Sequence, residues 1–122
     1  MNFEECLYVY KGKVVKVVDG DTMDIEFDLG FNVKIKERVR IIGINTPEVY
    51  GKHASEIGKE FKKFAQSLLE NQEVYVKTYK DRKGKYGRYL AEIYLDNINY
   101  IEYLKEFCMQ IGYPFEEIIY SE

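Results

Sequence analysis

Three groups of polar residues in this chain carry side chains that could bind ions or phosphates. The first is Asp19-Gly20-Asp21-Thr22, with Asp24 close behind. Aspartates around a glycine are ordinary turn residues, and the spacing fails the EF-hand calcium pattern. However, Asp19 and Asp21 continue the phase of the apolar positions that follow, where a carboxylate needs a hydrogen bond, a counter-charge or a metal ion. Such hard oxygen ligands favour Ca²⁺ or Mg²⁺.

The second group is the stretch RIIGINTPE, in which Arg40 precedes a branched apolar run and Asn45, Thr46 and Glu48 follow it. Pro47 favours an extended Thr46 and ends the strand there. One interpretation is a solvated strand face followed by a turn, because Arg40 ends an alternating basic row. The other is a site at the end of a strand. The row consists of Lys34, Lys36, Arg38 and Arg40.

The third group is a basic loop from Lys77 to Arg88. A solvated hairpin is the default interpretation of such a charge cluster. Cations with interleaved tyrosines would also suit a phosphodiester chain with stacked bases. The cations are Lys77, Lys80, Arg82, Lys83, Lys85 and Arg88, and the tyrosines are Tyr79, Tyr86 and Tyr89.

The bulk composition limits how these groups could work. With 122 residues, 46% of them hydrophobic, the chain has room for one domain and one core. The net charge of −3 argues against a protein that holds nucleic acid by global basic charge, so phosphate binding would need local clustering. Cys6 and Cys108 match no disulfide scaffold or paired metal-ligand spacing, and we expect them to be free or buried thiols.

The chain shows no sign of a membrane partner. The N-terminal residues MNFEECLYVY contain two acids and no basic segment ahead of an apolar run, which is not a signal-peptide pattern. No apolar run approaches the roughly 18 residues that a membrane span needs. We therefore expect a cytoplasmic protein with no obligate protein partner.

Hydrophobic periodicity predicts the elements that must position these groups. Strands are predicted over 7–18, 22–29, 33–44, 73–79 and 89–95, from alternation and from Val- and Tyr-rich composition. A helical stripe follows the third strand: Ala54, Ile57, Phe61, Phe64, Ala65, Leu68 and Leu69. Asn99 is a candidate cap for a last helix with the stripe Ile101, Leu104, Cys108 and Ile111.

The order of these elements predicts an α+β fold that is mainly β. Five strands, one long helix after strand 3 and a short C-terminal helix indicate a five-stranded OB-type β-barrel. We expect one domain over residues 1–122, with a core of about 8–113. Fold alone does not decide function.

Taken together and in order, the polar groups resemble the staphylococcal nuclease (thermonuclease) family. The family pattern is DGDT, R-x₄-DTPE and DKYGR-x-LA, and this chain has VVDGDT, an arginine five residues before NTPE, and KYGRYLAEIYLD. The resemblance implies an OB-type barrel and a Ca²⁺-dependent phosphodiesterase, with Mg²⁺ or another divalent ion as an alternative. It also implies cleavage of single-stranded or locally unpaired DNA and RNA with little sequence preference, leaving 3′-phosphate ends.

The resemblance also assigns roles. Asp21 matches a carboxylate metal ligand, Thr46 a ligand through its backbone carbonyl, and Asp19 a nearby acid that shapes the metal site. Glu48 matches the residue that positions or deprotonates the attacking water. The two arginines that clamp the phosphate are Arg40 and Arg88, and Lys85 and Tyr86 match residues that contact substrate phosphate.

The residue types suit this chemistry. A phosphodiester becomes more anionic as water adds, so a metal ion and two bidentate arginines lower the barrier electrostatically. Two positions depart from the family pattern: Asn45 stands where the family has a second aspartate ligand, and Gly84 replaces the aspartate of DKYGR. An amide oxygen at residue 45 still coordinates Ca²⁺, but with one negative charge fewer, so we expect weaker metal affinity.

Two other functions compete with a nuclease. A non-catalytic nucleic-acid or protein binding module is favoured by Asn45 and by the pI of about 5.3. A purely structural OB-type domain would leave the co-occurrence of Asp21, Arg40, Glu48 and Arg88 unexplained. The sequence therefore favours a nuclease over both alternatives.

Overall fold

The computed structural model describes residues 2–52, 54–83 and 89–119, with residues 80–83 as backbone only. Within these ranges the chain forms two α-helices and six β-strands. They are β1 (Val9–Asp19), β2 (Thr22–Asp28), β3 (Lys34–Ile41), α1 (Glu56–Leu69), β4 (Glu73–Lys83), β5 (Tyr89–Leu95), β6 (Ile98–Asn99) and α2 (Tyr100–Ile111). No helix in the described ranges is long and apolar enough to cross a membrane.

Five of the strands close into a barrel. The sheet order is β3-β2-β1-β4-β5-β6, with antiparallel neighbours, and a parallel pairing between β3 and β5 closes the ring. This confirms the predicted mainly-β OB-type barrel, with its long helix after the third strand and a second helix near the C-terminus. The two-residue strand β6 was not predicted, because it is too short to show a period of its own.

The core follows the alternation of the strands and the stripes of the two helices. Met23, Ile25 and Phe27 of β2 point inward and are buried, as their spacing predicts. Each helix begins at a side-chain cap, since Ser55 Oγ accepts from the Gly58 N–H at 3.1 Å and Asn99 Oδ1 accepts from the Ile101 N–H at 3.0 Å. The helical side chains of this core are Phe61, Ala65, Leu69, Tyr100, Leu104 and Cys108.

Three details of the predicted elements are wrong. β3 ends at Ile41 rather than residue 44. The alternation places Val33 and Ile35 on one face with Val39 and Ile41, but they are 47% and 43% exposed. Among the described residues, β5 pairs with positions 39–41 of β3, whereas positions 34–38 pair with β2. Ala54 lies before the helix and is exposed, since the Ser55 cap sets the helix start at Glu56.

Candidate active site

The acidic turn between β1 and β2 holds a nearly buried carboxylate. Asp21 is 5% exposed, and the Thr22 hydroxyl donates to its Oδ1 at 2.9 Å. The Asp19 Oδ1 accepts the Asp21 N–H at 3.1 Å, which is the turn chemistry expected of an aspartate two residues before a donor. The alternation places Thr22 on the polar side of β2, but it is 1% exposed, and its hydroxyl is bonded to Asp21.

A hydrogen bond joins this turn to the stretch RIIGINTPE. The Thr46 N–H donates to Asp21 Oδ2 at 2.9 Å, and the Ile41 N–H donates to the Asp21 carbonyl at 2.8 Å. Thr46 is itself 4% exposed. The first two polar groups of the sequence, 25 residues apart, therefore form one structure around the Asp21 carboxylate.

Gly20 permits this close approach. A Cβ at residue 20 would lie 2.8 Å from Thr46 Oγ1 and 3.1 Å from Phe61 Cβ. Both distances are tighter than ordinary van der Waals contact. The turn, the loop at Thr46 and helix α1 thus meet at a position that only glycine fits without displacement.

Arg40 lies inside the site rather than on the solvated row that its spacing suggests. It is 8% exposed, and its Nη2 donates to the Ile44 carbonyl at 2.8 Å, with Asn45 Oδ1 at 3.5 Å. The strand ends one residue later, and the segment that follows folds back onto the guanidinium. The interpretation of Arg40 as a site residue is the one that this geometry supports.

The side chains of Asn45 and Glu48 are exposed on the loop that follows Arg40. The Asn45 N–H donates to the Ile118 carbonyl at 2.7 Å, and the Glu48 carbonyl accepts the Ser55 N–H at 3.0 Å. Within the described ranges the Glu48 carboxylate has no hydrogen bond. The backbone of this loop is therefore fixed while the carboxylate faces solvent.

Three predicted site residues lie outside the described residues. They are Arg88 and the two predicted substrate contacts, Lys85 and Tyr86. Their roles remain predictions from the resemblance. The described part of the site consists of Asp19, Asp21, Arg40, Asn45, Thr46 and Glu48.

Burial and the neighbouring carboxylate change the proton affinity of Asp19. Burial raises the pKa of Asp19 to about 7, and its hydrogen bond and charge interaction with Asp21 act in the same direction. The energetic cost of placing two carboxylates together in a partly buried turn is what a bound cation would relieve.

Tyr100 supports the site, although no sequence pattern selects it. Its hydroxyl donates to the Gly20 carbonyl at 2.7 Å, and its side chain is fully buried. The two residues are 80 positions apart, so no local pattern connects them. Helix α2 thereby holds the backbone between Asp19 and Asp21.

The described residues of the site carry the oxygen donor types that a hard divalent cation such as Ca²⁺ takes. They contain no group of three or more His, Cys, Asp or Glu side chains arranged for a metal ion. Asp21, Thr46 and Asn45 present a carboxylate, a backbone carbonyl and an amide oxygen, which are all atom types that calcium takes. The buried Thr46 Oγ1 also has no hydrogen-bond partner in the described part of the chain.

The fold and the site together define a class of protein: an OB-type barrel in which one loop after β3 is bonded both to a buried carboxylate, Asp21, and to a buried arginine, Arg40. Comparison with known proteins specifies it further. The family model described as staphylococcal nuclease homologue matches residues 38–113, which include Arg40, Asn45 and Glu48. The chain belongs to this family.

Individual relatives of the chain include two thermonucleases. The chain is 34% identical over 124 residues to an uncharacterized protein of Methanocaldococcus jannaschii, covering 85% of this chain and 58% of that protein. It is 35% identical over 85 residues to a thermonuclease of Staphylococcus hyicus and 38% identical over 84 residues to one of Staphylococcus intermedius. These two alignments cover 68% and 67% of this chain and 47% of each relative. The chain thus spans about half the length of the curated relatives it matches.

Proposed function

We propose that this domain is a metal-dependent nuclease that hydrolyses phosphodiester bonds in DNA and RNA with low sequence specificity and leaves 3′-phosphate ends. The observation that carries the proposal is the hydrogen bond from the Thr46 N–H to Asp21 Oδ2 at 2.9 Å, with Arg40 buried in the same loop. This bond brings a carboxylate and a guanidinium to one end of the barrel. The family membership and the thermonuclease relatives support the same function.

Arg40 suits the role of a phosphate clamp. The Ile44 carbonyl fixes the guanidinium plane, so little side-chain entropy remains to be lost when a phosphate binds. Arginine presents a planar fork of donors that matches two phosphate oxygens. On the resemblance, Arg88 supplies the second guanidinium, and Lys85 and Tyr86 add phosphate contacts.

Glu48 suits the role of positioning the attacking water. Its carboxylate faces solvent, and its backbone is held by Ser55 and packed against Gly58. A fixed backbone limits where the carboxylate can reach, and a carboxylate near the incoming water orients it and accepts its proton.

Calcium is the cation that we propose for the site. Asp21, the Thr46 carbonyl and the Asn45 amide would hold it, and Asp19 would adjust the charge of the turn. A bound divalent cation would supply charge stabilisation to the phosphate as negative charge develops. Because Asn45 replaces a carboxylate, we propose weaker calcium affinity than an aspartate at residue 45 would give.

Incubation with single-stranded DNA and RNA tests the proposal. Cleavage is expected with Ca²⁺ or with Mg²⁺, and none with a chelator. The variants Glu48→Gln and Arg88→Ala are expected to lose on the order of 10²-fold or more in rate. If the wild type and both variants leave every substrate intact at all ion concentrations, the nuclease function is wrong.

The second candidate is a non-catalytic nucleic-acid binding module, and Asn45 is the residue that favours it. The incubation separates the two functions. Retention of the substrate on the protein without strand scission would support the binding module.

A further inference from the structure

Cations cross the outer face of the barrel beside the acidic turn. Lys16 of β1 lies opposite Asp24 of β2, which lies opposite Arg38 of β3. Arg38 binds this carboxylate twice, from Nε to Oδ1 at 2.7 Å and from Nη2 to Oδ2 at 3.2 Å. The pKa of Asp24 is lowered first by the Arg38 hydrogen bond and also by the charge of Lys16. Lys16 and Arg38 therefore flank a single carboxylate.

The same surface continues to an exposed tyrosine. Lys62 of α1 donates from Nζ to the Tyr50 hydroxyl at 2.6 Å, and Nζ lies 5.0 Å from the ring centroid. The charges of Lys16 and Asp19 also reach Tyr50 and affect its pKa, which Lys62 lowers most. Phe61, the residue before Lys62, lies against Gly20, so the pair of Lys62 and Tyr50 is beside the acidic turn. We name Lys16, Arg38, Tyr50 and Lys62 the cationic strip.

Lys16 and Lys62 differ from Arg38, because neither has a carboxylate partner in the part of the chain that the structure describes. Of the described residues, none places a carboxylate within 4.0 Å of the Lys16 or Lys62 ammonium. The neighbouring lysines of α1 are different, since Lys59 and Lys63 pair with Glu56 and Glu60. In a chain with a net charge of −3, the cationic strip is a local exception.

We propose that the cationic strip binds single-stranded nucleic acid, with backbone phosphates on Lys16 and Lys62 and one base stacked on Tyr50. Tyr50 is 60% exposed, and Lys62 covers only part of it, so a ring face is accessible to a base. Sequence-tolerant binding of single strands combines cations along the backbone with aromatic rings under the bases. This inference rests on the proposed function, because the strip adjoins Asp19 and would hold the strand next to the reacting phosphate.

Fluorescence anisotropy of labelled oligothymidine in chelator tests the strip without cleavage. The double variant Lys16→Gln/Lys62→Gln is expected to weaken binding of a probe of about 12 nucleotides by roughly tenfold. Its slope of log affinity against log salt should fall by about 1.4, or about 0.7 for each lost phosphate contact. A probe of about three nucleotides is too short to extend from the predicted active site onto the strip, so it should bind equally to the wild type and the double variant.

Matched variants separate the strip from general charge and from folding. Lys105→Gln removes one exposed lysine of α2 and should leave the affinity for the longer probe unchanged. Tyr50→Phe keeps the ring and should bind like the wild type, whereas Tyr50→Ala should weaken binding several-fold. The proposal is overturned if the double variant binds the longer probe as tightly as the wild type, or if the wild type does not bind it.

The strip and the nuclease can fail separately. If the wild type binds the longer probe through Lys16 and Lys62 but never cleaves it, the strip stands and the nuclease function is wrong. If the wild type cleaves but the double variant binds and cleaves long substrates normally, the strip is wrong and the nuclease function stands.

Discussion

Asn45 is the residue on which the metal chemistry depends most. Its side-chain oxygen lies 3.5 Å from the Arg40 Nη2, and its backbone is bonded to Ile118. An amide is neutral, so it tolerates a guanidinium neighbour without forming a strong ion pair. The same neutrality removes one charge from the proposed calcium ligands.

Asn45→Asp should tighten calcium binding several-fold, because a carboxylate attracts the cation more strongly than an amide does. Isothermal titration with Ca²⁺ measures the change. The variant Asn45→Ala provides the comparison and should bind more weakly than the wild type. Equal calcium affinity in all three proteins would remove residue 45 from the metal site.

Asp19 makes the stability of the metal-free protein depend on pH. The pKa of Asp19 is raised from 3.8 to about 7 in the folded protein, so folding favours the protonated carboxyl. The stability that Asp19 contributes is therefore fully present below about pH 4 and is lost as pH rises through about 7. The free energy of unfolding of Asp19→Asn should therefore exceed that of the wild type by an amount that grows between about pH 4 and about pH 7 and is constant above about pH 7. The gain should be on the order of 1 kcal/mol per pH unit at its steepest.

Urea denaturation in chelator at several pH values measures this difference. Asp24→Asn is a control of opposite sign, because Arg38 lowers the pKa of Asp24 in the folded protein. That variant should lose stability at neutral pH and match the wild type at low pH. A gain for Asp19→Asn that does not vary with pH would contradict the account.

At the scale of elements, α1 and α2 each support one part of the site. The first turn of α1 packs against the loop that carries Glu48, and α2 supports the acidic turn through Tyr100. The strands place the polar groups at the barrel end. The helices then hold the backbone of the two segments that carry these groups, the Glu48 loop and the acidic turn.

Gly58→Ala should destabilise the protein and slow cleavage. A Cβ there would overlap the Glu48 carbonyl oxygen, so the loop or the helix must shift. Overpacking of this kind costs about 1–3 kcal/mol, which exceeds the roughly 1 kcal/mol that alanine gains over glycine in a helix. Chemical denaturation measures the loss, with exposed Ser67→Ala on the same helix as control. A stabilised Gly58→Ala variant would refute the close packing.

Tyr100→Phe should lower calcium affinity as well as stability. It leaves the buried Gly20 carbonyl without its donor, at a cost of about 1–3 kcal/mol, and relaxes the turn between Asp19 and Asp21. Tyr103→Phe is the matched control, because its hydroxyl bonds the Leu95 carbonyl at 3.1 Å away from the turn. Calcium titration should distinguish the two variants. Equal affinities would make Tyr100 a structural residue only.

Local pattern predicted the elements well and their long-range contacts poorly. Alternation located β2 and the 3.6-residue period located α1, because both signals depend on neighbours in the chain. Arg40 has the spacing of a solvent-facing residue, and only the return of the chain after Ile41 covers it. The bond from Tyr100 to Gly20 has no local signal, since it joins residues 80 positions apart.

At the scale of the whole molecule, an acidic chain places several of its cations beside a carboxylate site. The net charge is −3, yet Arg40 lies within the site and the cationic strip lies next to it. Local clustering of this kind attracts a polyanion without making the entire surface basic. The chain also spans about half the length of its curated relatives, and the proposed activity refers to this barrel alone.

The cleavage rate of Arg40→Lys with saturating substrate and calcium tests the central claim most directly. Lysine keeps the charge but loses the planar fork that the Ile44 carbonyl orients. We expect the rate of cleavage of a single-stranded oligonucleotide to fall on the order of 10²-fold, while circular dichroism shows that the variant is still folded. A folded Arg40→Lys protein that cleaves as fast as the wild type would contradict that expectation.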